Sequence, residues 1–158
     1  MLPNGTTAPP GPVKGITGAV SVAAGGGGAA CALSATGEPW CWGSAIVGEH
    51  ERSREVPLPV PWLTNARLVF GGGNHCRLRQ NELACWGYNH GGGAGIGVAG
   101  AVWTPRHVDV RAVDVALGND FGCAIAVDDT IVCWGKNDRG QLGTGNRVPR
   151  LTPVRVAL

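Results

Sequence analysis

The sequence predicts an all-β fold made of repeated, short antiparallel strands, and two observations carry that prediction. The tripeptide Cys-Trp-Gly occurs three times, and a second cysteine precedes each copy. Glycine is abundant, at 27 of 158 residues, without a collagen-like period, so the glycines serve turns and bulges between strands. The six cysteines are Cys31, Cys41, Cys76, Cys85, Cys123 and Cys133.

The repeat extends well beyond the cysteines. Upstream of each pair lies an alternating run that ends in Gly, namely VSVAAG (20–25), ARLVFG (66–71) and VDVALG (113–118). Downstream, the pattern N-x-x-G-x-x-G-x-G occurs as NHGGGAGIG (89–97) and NDRGQLGTG (137–145), and a Pro with β-branched residues follows. The first cysteines of successive units are 45 and 47 residues apart, which indicates one unit written three times.

Each unit is predicted to hold about four short strands. Val20 and Val22 alternate with Ser21, and a period of two is typical of a strand. The Pro before the last run of each unit suits an outer, edge-facing strand, where a missing N–H costs nothing. Repeats of this length, with short strands and glycine-rich turns, are typical of β-propeller blades.

The two cysteines of each unit are predicted to lie on one β-hairpin. In the second unit, a two-residue turn at Gln80–Asn81 places Cys76 directly opposite Cys85. The first and third units are one residue longer, so they need a three-residue loop, in which Gly37 supplies a positive φ in the first unit.

The chain divides into a leader and three repeats. Residues 1–11 are predicted to be a flexible Pro/Gly-rich leader. Residues 12–18 contain Pro12-Val13-Lys14-Gly15 and are expected to form an outer-strand element of a preceding blade. The repeats are expected at about 19–65, 66–112 and 113–158.

The third unit, CAIAVDDTIVCWG (123–135) followed by KNDRGQLGTG and LTPVRV, resembles the repeat of the regulator of chromosome condensation family. The resemblance covers about residues 12–158 and decreases from the third unit to the first. It implies propeller blades, so three units would form a partial propeller, either an open arc or part of a ring. The family often has His two residues before the first Cys, where this chain has Ala29, Asn74 and Phe121. The paired cysteines most resemble those of secreted bacterial members.

Trp42, Trp86 and Trp134 occupy one position in each unit. Because side chains alternate along a strand, these rings face away from the neighbouring cysteines. We interpret them as core residues between neighbouring blades, because a residue that is identical in every unit indicates a structural role. Each ring would bury about 150–250 Å². A ligand-stacking role is the alternative. The core interpretation predicts that they are more buried than Trp62 and Trp103.

The cysteine pairs are predicted to form three disulfides, each within one hairpin. Opposed residues on antiparallel strands lie within disulfide reach, and disulfides imply an oxidising compartment. We therefore expect an extracytoplasmic or secreted location, although no signal peptide is visible in this chain. The alternative is six reduced thiols packed in the blades. A zinc site is disfavoured, because no C-x-x-C occurs and the pairs lie in separate blades.

Composition and motifs disfavour several other functions. The net charge is +2 without runs of like charge, so neither nucleic acid nor a membrane surface is expected as a partner. No Ser/His/Asp set, paired carboxylates or phosphate-binding glycine loop is apparent, and the four histidines share no metal spacing. We therefore predict no catalytic residue, cofactor or metal.

Positions that depart from the repeat are the better guide to function. Trp62 and Trp103 lie outside the Cys-Trp-Gly motif, and Arg77 and Arg79 stand where the other hairpins have small residues. Aromatic and Arg residues are enriched in protein-binding hot spots, so these four are candidate partner-binding residues. The alternative is that the tryptophans pack under loops and the arginines are solvated. Residues 45–55 also depart from the repeat, because in the first unit they replace the glycine-rich turn that the other two units have.

Two function classes remain open from the sequence. The first is a non-enzymatic interaction module that presents loops to a protein or glycan, similar to the secreted β-lactamase-inhibiting propellers of the family. The second is guanine-nucleotide exchange on a small GTPase, which the founding nuclear member of the family performs. The exchange surface needs a full propeller, and its residues have no clear counterparts in these three units.

Three units are fewer than the roughly four to eight blades of a closed propeller. We therefore expect either that the blades continue in a longer chain or that copies associate head to tail, two copies giving six blades. In either case the strand at 19–24 and the unit at 113–158 should each carry an apolar flank.

Overall fold

The computed structural model describes residues 9–44 and 54–157, and its regular structure is almost entirely β. The single 3₁₀ turn of these residues is Pro61–Leu63. The strands are β1 (Ala19–Gly25), β2 (Ala29–Ser34), β3 (Pro39–Gly43), β4 (Arg54–Pro59), β5 (Arg67–Phe70), β6 (Asn74–Arg79), β7 (Glu82–Gly87), β8 (Val102–Leu117), β9 (Phe121–Ala126), β10 (Ile131–Gly135) and β11 (Arg150–Arg155). The predicted all-β fold is confirmed.

The strands follow one another in chain order and pair antiparallel throughout. Strands β1 to β4 form a four-stranded sheet, which we call blade 1. The other seven strands form one continuous sheet, because β8 is 16 residues long and serves two blades. Its residues 102–111 pair with β7 and complete blade 2, whereas 112–117 pair with β9 and begin blade 3.

The connections between blades differ because their sequences differ. After Pro105, neither Pro nor Gly interrupts β8, so the outer strand of blade 2 runs directly into the inner strand of blade 3. Between blades 1 and 2, Pro57, Pro59 and Pro61 end the strand, and the chain turns through Pro61–Leu63.

The hairpins have the predicted turns. Cys76 lies opposite Cys85, and Gln80 and Asn81 have φ of 51° and 66°, as a two-residue type I′ turn requires. The longer hairpins close three-residue loops, with a residue of positive φ in the third position. That residue is Gly37 in blade 1 (83°) and Asp129 in blade 3 (62°).

The hydrophobic core lies between the blades in two clusters. The cluster between blades 1 and 2 has six buried members, Ala29, Cys31, Cys41, Val60, Leu63 and Trp86. The cluster between blades 2 and 3 contains Cys76, Leu78, Leu83, Cys85, Ala94, Val108, Ala112, Val115, Ala124, Val132 and Trp134. The faces of adjacent sheets therefore pack against each other, as in a propeller.

Residues 12–18 do not form the expected outer strand. They contain a turn, and Gly15 and Gly18 have φ of 85° and 68°, which interrupts extended backbone. Among the residues that the structure describes, no strand lies beside this segment to pair with it. Most of the leader (1–8) and most of the departure at 45–55 lie outside the described residues.

Candidate interaction surface

Each blade contains one disulfide across its central hairpin. The S–S distances are 2.07 Å for Cys31–Cys41, 2.01 Å for Cys76–Cys85 and 2.16 Å for Cys123–Cys133, and each pair has a Cα–Cα distance of 4.1 Å. These are directly opposed positions on paired strands. Disulfides of this kind persist in oxidising compartments, which is consistent with an extracellular protein.

The three repeated tryptophans lie on the sheet face opposite the disulfides. Trp86 and Trp134 are completely buried. Trp42 is only partly buried, because no described blade precedes blade 1 to cover its ring. The predicted core role therefore fits Trp86 and Trp134 more closely than Trp42.

The four candidate partner-binding residues do not form one surface. Trp62 is 36% exposed and packs edge-on against Trp86, with the ring centroids 5.5 Å apart. Arg77 shares the Trp86 face of blade 2, where burial and the nearby Arg79 lower the pKa of its guanidinium. Arg79 is exposed at the hairpin end of the blade, and Trp103 is partly buried near the opposite end.

An aromatic cluster surrounds Trp103, and we call Tyr88, His90 and Trp103 the blade 2 aromatic cluster. Tyr88 meets Trp103 edge to face, with centroids 5.1 Å apart and planes at 82°, and His90 lies 6.1 Å from Tyr88. Tyr88 is 42% exposed, and His90 is exposed too. Tyr88 and His90 are not among the partner-binding residues predicted from the sequence. Their departure from the repeat could have identified them, because blade 3 has Lys136 and Asp138 at the equivalent positions.

Local backbone geometry holds this cluster in place. Gly87 has φ of 127°, and a Cβ there would collide with the carbonyl oxygen of Gly73. The backbone N–H of Tyr88 then donates to the same Gly73 carbonyl, with N···O 3.0 Å. The glycine of the Cys-Trp-Gly motif thus allows the chain to leave the strand next to the preceding loop.

A buried asparagine organises each complete glycine-rich loop. The Asn89 side chain accepts a hydrogen bond from the N–H of Ala94 and donates to the carbonyls of Val98 and Gly100. Asn137 repeats the arrangement in blade 3, with Leu142, Asn146 and Val148 as partners. Both asparagines belong to the N-x-x-G-x-x-G-x-G pattern, but this role was not predicted from the sequence. Blade 1 has Ala45 at the equivalent position, outside the described residues.

Neither a metal-binding cluster nor a membrane-spanning helix occurs in the described ranges, 9–44 and 54–157. They contain no group of three or more His, Cys, Asp or Glu side chains arranged to hold a metal ion. They also contain no helix with the length and apolar character needed to cross a membrane.

The stacked four-stranded units, each joined to the next through a Trp-containing core, define a β-propeller, of which this chain forms three blades. The regulator of chromosome condensation (RCC1) repeat models match residues 112–141 and 128–158. The chain therefore carries repeats of the regulator of chromosome condensation family, as the resemblance predicted.

Similar proteins include a plant receptor and a human ubiquitin-protein ligase. The chain is 31% identical over 127 residues to the ultraviolet-B receptor UVR8 of Arabidopsis thaliana. The matched region covers 74% of this chain and 29% of UVR8. It is 29% identical over 150 residues to the human E3 ubiquitin-protein ligase HERC2, covering 85% of this chain and 3% of HERC2. The chain thus spans less than a third of either relative.

Solved structures share the fold. Prp20p from Saccharomyces cerevisiae superposes with a TM-score of 0.78 at 20% identity, covering 91% of this chain and 39% of that one. Human WBSCR16 gives a TM-score of 0.74 at 22% identity, covering 89% of this chain and 40% of its own. At these identities the likeness concerns the fold alone. The fold predicted from the sequence, blades of a partial propeller, is confirmed.

Proposed function

We propose that this chain is a non-enzymatic interaction module, a propeller scaffold that works outside the cytoplasm and presents the blade 2 aromatic cluster to a protein or glycan. The observation that carries the proposal is the edge-to-face pair formed by the exposed Tyr88 and the partly buried Trp103. Blade 3 has Lys136 and Leu151 at the equivalent positions, so the pair is not part of the repeated architecture.

The cluster has the chemistry of a binding hot spot. Aromatic rings provide a large apolar area at a low cost in rotamer entropy, and the Tyr hydroxyl, Trp N–H and imidazole provide polar contacts at their edges. Asn89 and Gly87 hold the surrounding loop, so that little ordering would be required when a partner binds. A preorganised group of aromatic side chains is typical of a binding surface and not of a catalytic site.

The three disulfides support an extracytoplasmic location. They weigh against the alternative function, nucleotide exchange on a cytosolic or nuclear GTPase, because thiols are kept reduced in those compartments. Prp20p has binding properties towards Gsp1p and histones. At 20% identity, that likeness transfers neither partner to this chain.

Photo-crosslinking tests the proposal. The purified chain, labelled near the cluster, is exposed to the extracellular fraction of its source organism. Trp103→Ala should abolish the cross-linked species, whereas Val98→Ala should retain it, because Val98 is exposed in the same loop but lies outside the cluster. If both variants retain the same species, the cluster is not the binding surface.

A second assay addresses the alternative. Release of a fluorescent GDP analogue from a purified small GTPase should be unchanged when the chain is added. A catalysed release that survives Trp103→Ala would favour nucleotide exchange and would contradict the proposed function.

A further inference from the structure

The Trp86 face of blade 2 is charged towards the hairpin end, where the corresponding face of blade 3 is apolar. Arg77 and Arg79 occupy alternate positions of β6 on this face. Their counterparts in blade 3, Ala124 and Ala126, are only 3% and 7% exposed. Arg77, in contrast, is partly exposed, and Arg79 is exposed. The two arginines therefore lie on a part of the face that blade 1 does not cover completely.

The packing between blades 1 and 2 explains this opening. Blade 2 contributes one fully buried side chain, that of Trp86, to the core cluster there, and the partly buried Leu68 and Phe70 pack against it. Blade 3 contributes several buried side chains to the other cluster, including Ala124 and Val132 near its own hairpin. The apolar contact between blades 1 and 2 thus centres on Trp86 and leaves the hairpin end to charged residues.

A third arginine joins this surface from the outer strand of the blade. Arg79 pairs with Glu82, and Glu82 pairs with Arg111, so the three side chains share one face. In the described ranges, 9–44 and 54–157, none of Arg77, Arg79 and Arg111 forms an ion pair. We call these three residues the blade 2 arginine surface.

Arg77 lacks the carboxylate partner that Arg155 has. Arg155, on blade 3, donates a hydrogen bond to Asp128, with N···O 3.0 Å. The Nε atom of Arg77 is buried and has no hydrogen-bond partner. Burial and the nearby Arg79 also lower the pKa of the Arg77 guanidinium. A partly desolvated guanidinium without a partner costs free energy, which a bound carboxylate would recover.

We propose that the blade 2 arginine surface binds carboxylate side chains in an acidic segment of a protein partner. Each guanidinium is planar and can hold a carboxylate through two parallel hydrogen bonds. Trp62 packs on Trp86 beside this surface and is 36% exposed, so it offers apolar contact area next to the charges. Arginine and tryptophan are the residue types that are enriched in protein-binding hot spots.

The charge pattern fits a protein better than a sulfated glycan. Glu82 lies between two of the arginines, and Asp109 shares their face, because Val108 and Val110 pack into the core between blades 2 and 3. A densely sulfated chain would bring its charges against these two carboxylates, whereas single acidic side chains of a protein can reach the arginines alone. The surface is also distinct from the blade 2 aromatic cluster, which lies at the opposite end of the blade.

NMR spectroscopy of arginine side chains tests the surface. The purified ¹⁵N-labelled chain is titrated with a short peptide of alternating Glu and Gly. The Nε–H resonance of Arg77, assigned by its loss in Arg77→Lys, should shift as the peptide binds, and a peptide with Gln in place of Glu should not shift it. Arg77→Gln and Arg79→Gln should each raise the Kd about 10-fold, because each removes charge-assisted hydrogen bonds. Arg155→Gln is the matched control and should leave the Kd unchanged, since Arg155 is exposed but bound to Asp128.

Backbone amide spectra show whether each variant is folded, and Arg79→Gln changes an exposed side chain. An Arg77 resonance that stays in place with the Glu peptide, or a Kd that neither substitution raises, would overturn the proposal. A heparin-derived oligosaccharide that displaces the Glu peptide and binds more tightly would identify a sulfated-glycan site and would contradict it as well. Trp103→Ala should bind the Glu peptide as the wild type does, so this result is independent of the aromatic cluster.

Discussion

The indole N–H of Trp134 donates a hydrogen bond to the carbonyl oxygen of Gly93, and the two atoms are 2.9 Å apart. Gly93 lies in the glycine-rich loop of the preceding blade, and a Cβ on nearby Gly95 would approach the Trp134 ring to 2.7 Å. Gly95 also has φ of 70°, a conformation that favours glycine. The repeated tryptophan and the repeated glycines therefore form two halves of one contact, in which the loop of one blade receives the ring of the next.

Replacing Trp134 by Phe should destabilise the chain by about 2–4 kcal/mol, because the change leaves the Gly93 carbonyl without its donor and removes part of a completely buried ring. Denaturant unfolding measures the loss. Trp103→Phe is the matched change on a partly exposed ring and should cost less than about 1 kcal/mol. Equal losses would show that burial does not distinguish the two positions.

Replacing Trp86 by Ala should cost about 3–5 kcal/mol, the range for a truncated core aromatic side chain. Trp86 is completely buried in the core cluster between blades 1 and 2. Trp62→Ala removes a ring that packs on Trp86 but is 36% exposed, so the loss of unfolding free energy should be smaller. A change near zero for Trp86→Ala would contradict its core role.

Replacing Asn137 by Ala should destabilise the chain by about 2–4 kcal/mol, because one buried and two partly buried backbone groups lose their partner at once. The backbone N–H of Leu142 and the carbonyls of Asn146 and Val148 all bond to this one side chain. Tryptic cleavage after Arg147 should also become faster as the loop loosens. Asn146→Ala, an exposed change in the same loop, should have a smaller effect, and equal effects would argue against an organising role for Asn137.

Thiol counting tests the cysteine pairing. The denatured, unreduced chain should bind no thiol reagent, and after reduction it should bind six equivalents. Replacing Cys76 and Cys85 together by Ala should cost about 2–3 kcal/mol, because the bridge no longer restricts the unfolded chain. Measurable free thiol in protein isolated from its native compartment would contradict the proposed extracytoplasmic location.

His75 should make stability depend on pH. It is 2% exposed, and burial lowers the pKa of its imidazole from 6.5 to about 4. Because the unfolded chain binds the proton more tightly, the contribution is fully present above pH 6.5 and is lost as the pH falls towards 4.

The wild-type chain should lose about 3 kcal/mol more than His75→Phe between pH 7 and pH 4. Urea unfolding at a series of pH values measures this difference. His107→Phe is the matched change at an exposed imidazole and serves as the control. Parallel profiles for the wild-type and His75→Phe chains would mean that folding does not lower the pKa of His75.

Features set by short stretches of chain could be predicted from the sequence. The hairpin turn at Gln80–Asn81 and the register that opposes Cys76 and Cys85 depend on neighbouring residues, and the period of two determines which side chains share a face. The repeat then indicated how many such units the chain holds. Each of these features involves contacts within one hairpin, where the pattern of residues largely determines the geometry.

Only the tertiary structure decided how each repeated position is used. Trp42 and Trp86 are equivalent in sequence, yet the first is partly exposed and the second is buried, because within the described residues a preceding blade packs on Trp86 and none packs on Trp42. The pairing of Tyr88 with Trp103 likewise joins residues that are distant along the chain. Burial and side-chain contacts of this kind depend on which sheet packs against which face, and that long-range arrangement is not contained in the periodicity of any one strand.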